Sequence, residues 1–194
     1  MDTFEDKNGL TYLLDQNNFT AVVIKSKEEH SNILIPFAIQ KGEHEYLITS
    51  ISKDAFRANQ KIKSISFSEN SMIQTILAHT FYSSSIISIK IPSSLTKIGS
   101  RSFFCSTLES IEIPPKLREL KEKVFYNCEF LQIIDYYAHC ELYSIEASAF
   151  SLSGLETLKI PPSLEKLNGD WCMGIEKLKK NYRFTSKQEF LFFR

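Results

Sequence analysis

Four histidines, four cysteines and a few clustered carboxylates are the side chains of this 194-residue sequence best suited to carry chemistry. His30, His44, His79 and His139 are scattered, and only His139-Cys140 sets two ligating side chains side by side. A bound metal needs several such donors converging, so these residues read as structural or solvated. Cys105, Cys128, Cys140 and Cys172 show no C-x-x-C spacing; Cys105 and Cys128 fall two and three residues after a phenylalanine and read as core positions rather than nucleophiles. Glu28-Glu29 and the Asp2, Glu5, Asp6 group read as solvated faces, because carboxylate catalysis requires convergence in a cleft. The sequence has no phosphate-cradling glycine loop, no G-x-S-x-G and no H-E-x-x-H. It therefore offers no catalytic residue, no cofactor site and no metal site, and reads as non-enzymatic.

Charge and hydropathy exclude further classes. With 23 cationic against 23 anionic side chains the net charge is zero, which argues against diffuse nucleic-acid binding driven by counterion release. The longest apolar runs, Asn32–Ile39 and Phe190–Phe193, fall far short of the roughly 18–20 residues of a membrane span. The start, Met-Asp-Thr-Phe-Glu-Asp, lacks the basic and apolar segments of a secretory signal, and the cysteines read as reduced thiols. The expected compartment is the cytoplasm, with the cell surface as the alternative. The sequon Asn18-Phe19-Thr20 is what chance supplies in a chain rich in Asn, Ser and Thr.

What positions these side chains is a repeat. Leu95, Ile98, Phe103, Leu108, Ile111 and Ile113 lie 22 residues after Ile73, Ile76, Phe81, Ile86, Ile89 and Ile91, position for position. The same unit returns as Leu142, Ile145, Phe150, Leu155, Leu158 and Ile160, while the copies at Ile48–Phe67 and Leu117–Tyr136 are about three residues longer. Each unit ends in strict alternation that stops at or near a proline, the pattern of a short strand facing a core on one side. The polar stretch before each phenylalanine suits a turn or a short helix that drops the ring inward. No unit can bury its apolar face alone, so the units must stack.

This pattern, I-x-I-P-x-x-L-x-x-I-x-x-x-x-F-x-x-C-x-x-L, resembles the leucine-rich repeat of the BspA-like family, known from surface antigens of oral bacteria and from parasitic protists. The resemblance covers residues 48–175 by repeat count, and the opening segments Gly9–Asp15, Val22–Ile24 and Ile33–Pro36 look like the family's cap. It implies an α/β repeat solenoid: a short slab with a parallel sheet on one face, turns or short helices on the other, and a β-rich N-terminal cap. The expected layout is a cap over 1–47, about six coils over 48–180, and a basic, aromatic cap or tail over 181–194.

Stacked strands place their outward residues in columns. One reads Ser64, Ser88, Ser110, Ile133, Thr157, Lys177; its neighbour reads Ser66, Lys90, Glu112, Asp135, Lys159, Lys179. The charged column is either a recognition strip or a pair of cross-strand ion pairs, Lys90 with Glu112 and Asp135 with Lys159. Lys177, Lys179, Lys180, Arg183 and Lys187 fall within eleven residues that contain no acid, ahead of Phe190–Phe193. They suit docking to an acidic protein surface such as a cytoskeletal filament, or the closing of the last coil. The expected function is protein binding without catalysis, as a cytoplasmic scaffold, or alternatively as the surface adhesin that the resemblance implies.

Overall fold

A computed structural model describes residues 2–27, 30–175 and 178, together with the backbone of 182–183. The chain opens with an antiparallel meander, β1 (Asp2–Glu5), β2 (Leu10–Asp15) and β3 (Thr20–Ser26), followed by β4 (Asn32–Ile35) and the hairpin of β5 (Ala38–Lys41) and β6 (His44–Ile51). From there the backbone winds as a solenoid, each coil placing one strand on each of two faces. The first face carries β7 (Ser64–Phe67), β9 (Ser88–Ile89), β11 (Ser110–Ile113) and β13 (Ile133–Tyr136), stacked in parallel onto β4. The second carries β8 (Thr75–Ile76) and β10 (Lys97–Ile98), parallel to β6, and then β12 (Glu119–Leu120), β14 (Ser144–Ile145) and β16 (Lys166–Leu167). Further along the first face, β15 (Leu158–Lys159) pairs in parallel with β17 (Tyr182–Arg183). Because β3 pairs with β6 and β4 with β7, the opening segments cover both strand faces of the first coil.

Alternation sets the register. In β11 Ser110 and Glu112 are exposed while Ile111 and Ile113 are buried, and a one-residue slip would invert that pattern. The repeat phenylalanines Phe56, Phe81, Phe103, Phe125 and Phe150 are all buried and stack in one internal column, with centroids 5.2, 5.0, 5.4 and 5.5 Å apart. Trp171 closes the column edge-on over Phe150, at 6.3 Å. Offset stacks of this kind add about 0.5–1.5 kcal/mol per pair beyond the area they bury.

The α/β expectation is corrected: among the described residues no helix forms, and the third side of each coil is a tight turn. Each repeat phenylalanine is flanked two residues before and two after by left-handed backbone, at Asp54 and Ala58, His79 and Ser83, Arg101 and Cys105, Lys123 and Asn127, and Ser148 and Leu152. Two left-handed residues four apart interrupt any right-handed helical run. The backbone donors instead reach the next coil: Phe81 N–H donates to the Ser102 carbonyl at 2.7 Å and Ser83 N–H to the Phe104 carbonyl at 2.8 Å. An apolar ring every coil and a polar stretch before it fit either a helix or this ladder, and the ladder wins because it satisfies the backbone between coils.

Unit length varies at two defined places. Phe56 to Phe81 and Phe125 to Phe150 are 25 residues apart, against 22 for the steps between them. One extra residue follows the phenylalanine, and two more lie at the corner after β7 and after β13. Both long corners close with the same turn, Ser71 N–H to the Ser68 carbonyl and Cys140 N–H to the Tyr137 carbonyl, each at 3.2 Å, with Asn70 and His139 left-handed.

Candidate functional site

The exposed side of the first face is the surface with the most regular chemistry. Ser64, Ser88, Ser110 and Ile133 stand in register across four strands. Beside them run Ser66, Lys90, Glu112, Asp135 and Lys159, with Glu112 directly opposite Asp135. Lys179, expected next in this column, is not the residue in register: Lys159 pairs with Arg183 instead. The last coil departs from the 22-residue step, which shifts the register. Lys177, Lys179, Lys180 and Lys187 lie outside the described residues.

Of the two expected ion pairs one forms. Lys159 Nζ lies 3.6 Å from an Asp135 oxygen, both side chains largely exposed, so the pair adds little to stability. Lys90 and Glu112 form no ion pair among the described residues and are left to face solvent or a partner. Leu34 and Ile133, both about half exposed at 54% and 53%, add apolar contact at two points on the same face.

Two features escaped the sequence. On the second face a groove of about 670 Å³ is rimmed by Lys97, Lys116, Arg118 and Lys121. Arg118 is held 3.8 Å from Glu141 and Lys121 pairs with Glu119, so Lys97 and Lys116 carry the net positive charge. Only a register for the second face brings these residues together. At the turn side Tyr82, Phe104 and Tyr126 form an outer ladder with centroids 4.7 and 4.9 Å apart, capped by the Arg57 guanidinium 4.3 Å over Tyr82. The aromatic one residue after Phe81, Phe103 and Phe125 was the available signal.

Among the described residues no three His, Cys, Asp or Glu side chains are placed to hold a metal ion. Cys128 is buried, its thiol donates to the Phe103 carbonyl at 2.9 Å, and burial pushes it up to about 12. Cys105 is not the core residue expected: it occupies the left-handed turn position and is only partly buried, its sulfur 3.5 Å from Asn127 Nδ2. His79 holds the other left-handed position of its coil, two residues before Phe81, with Nδ1 buried and unpaired, and burial draws its pKa below 6.5.

Repeat spacing, inward aromatic ladder and parallel faces together match a known repeat. The family model of the BspA type leucine rich repeat region fits residues 39–142, in six copies. The chain belongs to the BspA-type leucine-rich repeat family. Solved structures with the same fold include the pneumococcal vaccine antigen PcpA, 23% identical with a TM-score of 0.80 over 97% of this chain and 51% of that one. A leucine rich cell surface protein of Faecalibacterium prausnitzii is 19% identical, with a TM-score of 0.63 over 92% and 53%. The leucine rich repeat protein TpLRR of T. pallidum is 17% identical, with a TM-score of 0.55 over 86% and 82%. This BspA-type chain thus spans about half the length of the first two. Among curated proteins none matches it. No helix among the described residues is long and apolar enough to cross a membrane.

Proposed function

We propose that this BspA-type chain is a non-enzymatic protein-binding module that acts at the cell surface, with the exposed first face as its contact surface. The observation that carries the reading is the column from Lys90 to Lys159, charged side chains in fixed register beside small serine hydroxyls. A flat bed of Ser64, Ser88 and Ser110 lets a partner approach the sheet closely. The unpaired Lys90 and Glu112 then fix which partner charges are accepted and in which order, since the reversed placement sets like charges together. Lys177, Lys179, Lys180, Arg183 and Lys187 add attraction toward an acidic partner surface. Surface action is supported by the fold shared with a cell surface protein and a vaccine antigen.

A second reading, a cytoplasmic scaffold docking on an acidic filament of the cytoskeleton, is favoured by the four free cysteines. Brief trypsin treatment of intact cells separates the two. Surface action requires loss of the protein while a cytoplasmic marker survives; protection until the cells are permeabilised leaves only the scaffold. In either compartment the double reversal Lys90→Glu with Glu112→Lys weakens binding of the native partner and leaves thermal stability unchanged. Unaltered binding would remove the strip from the site.

A further inference from the structure

The two long corners carry a feature that neither the repeat nor the charged face uses. Among the described residues four buried side-chain polar atoms lack a hydrogen-bond partner, and two of them, Ser68 Oγ and Tyr136 Oη, sit on these corners. Each borders a groove. Ser68 lines one of about 350 Å³ with Phe67, Lys90 and Pro92. Tyr136 lines one of about 560 Å³ with Ile160, Pro161 and Pro162, and Tyr137 borders both.

The Tyr136 hydroxyl is unnecessary for the fold. Tyr136 follows Ile113 in the inward column just as Phe67 follows Ile35, and Phe67 fills its corner with a bare ring. A shielded hydroxyl with no acceptor destabilises the folded chain, and its neighbours Asp135 and Cys140 accept nothing from it. Such a group is satisfied either by a buried water or by an acceptor that arrives from outside.

The walls define that acceptor. Tyrosine rings and proline edges with hydroxyl donors among them suit polyproline II, whose rings pack on aromatic walls and whose carbonyls have no partner within their own chain. We infer that the two grooves form one trough for an extended polyproline II segment of a partner protein, packed against Tyr137 and the Pro161–Pro162 wall and accepting hydrogen bonds from Tyr136 and Ser68. The trough runs four strand steps, from the corner after β7 to the corner after β15. At about 4.8 Å per step it is about 19 Å long, room for about six residues at about 3.1 Å each. Reaching the two hydroxyls requires the corner turns to ease, and each turn is closed by one backbone hydrogen bond of 3.2 Å, from Ser71 N–H or from Cys140 N–H.

This assignment rests on the binding-module reading and is independent of where in the cell the module acts. The test is calorimetric titration of the purified full chain with decaproline, with a glycine-serine decapeptide as control. Saturable binding of decaproline alone is expected, and Tyr136→Phe and Ser68→Ala each lower its affinity about three- to tenfold without lowering Tm. No saturable heat at millimolar decaproline overturns the trough. So does unchanged affinity in both variants with a raised Tm, the hydroxyls then holding only buried water. If decaproline fails while reversal of Lys90 and Glu112 still weakens the native partner, the trough alone is lost and the module reading stands.

Discussion

Phe81 and Phe103 stack with ring centroids 5.0 Å apart and planes within 18° of parallel, although 22 residues separate them in sequence. Each ring in the column is therefore held by the coil before and the coil after, and stability is a chain of neighbour terms. Phe103 touches rings on both sides, the second being Phe125 at 5.4 Å. Phe103→Ala is expected to cost about 3–5 kcal/mol in denaturant unfolding, from lost transfer energy and the cavity between two rings. A loss below about 1 kcal/mol, the size of an Ile→Val change, would mean that the ladder does not hold the coils together.

Gly99 marks a second dependence between coils. A Cβ built there would lie 2.4 Å from the Ala78 backbone nitrogen and 2.7 Å from the Leu77 carbonyl carbon, and backbone cannot swing aside as a side chain does. Gly42 is the useful contrast, since it has a left-handed φ of +62° but nothing within 4 Å. Gly42→Ala costs only its conformational strain, about 1–2 kcal/mol. Gly99→Ala must push coils apart and is expected to lower Tm further than Gly42→Ala. Equal shifts in the two melting curves would contradict the close approach.

His79 makes stability depend on pH near neutrality. Burial, reinforced by Lys53, Arg57 and Arg101 and opposed by Asp54, holds its pKa in the fold below 6.5. The unfolded chain then binds the proton more readily, so stability is full above pH 6.5 and declines as pH falls below it. His79→Asn keeps a residue that tolerates the left-handed backbone and removes the titration. The fall in Tm between pH 7 and 5 is expected to flatten in this variant. Asp2, held below 3.8 by Lys41 and Gln16, and Asp15, held there by Asn18 and the Asn17 amide, keep their stabilisation until the pH falls through 3.8 and below. An unchanged slope between pH 7 and 5 in His79→Asn would assign the effect to other groups.

The inward residues were legible because they repeat with one phase: Ile73, Ile76, Phe81, Ile86, Ile89 and Ile91 recur 22 residues later as Leu95, Ile98, Phe103, Leu108, Ile111 and Ile113, and all twelve are buried. What periodicity could not convey was the backbone between them. The polar run before Phe103 fits a helix as well as a turn, and only the inter-coil bonds from Phe103 N–H to the Val124 carbonyl and from Cys105 N–H to the Tyr126 carbonyl decide it. Cys105 stands one repeat position short of Cys128: 22 residues on it matches Asn127, the left-handed turn residue, whereas Cys128 matches the buried Ser106. The register of Lys159 against Arg183 rather than Lys179 shows the rule failing where the repeat itself ends. The trough was invisible because a length count locates extra residues but not which hydroxyls they leave unpaired, as at Ser68 and Tyr136.

Cys128 bears on whether a free thiol argues for the cytoplasm. Its sulfur lies under the coil turn, donating to the Phe103 carbonyl at 2.9 Å and 3.5 Å from Ser106 Oγ, and burial pushes its pKa up to about 12. Only the thiolate is nucleophilic, so at pH 8 this cysteine is almost entirely unreactive while the coil is closed. Iodoacetamide is expected to leave Cys128 unmodified in the native protein and to modify it fully in denaturant, with partial labelling in Phe103→Ala, whose loosened column exposes the site. Ready modification in the native chain would refute the closed turn. If Cys128 stays protected, a reduced thiol persists in an oxidising exterior by burial alone, and its presence no longer weighs against surface action.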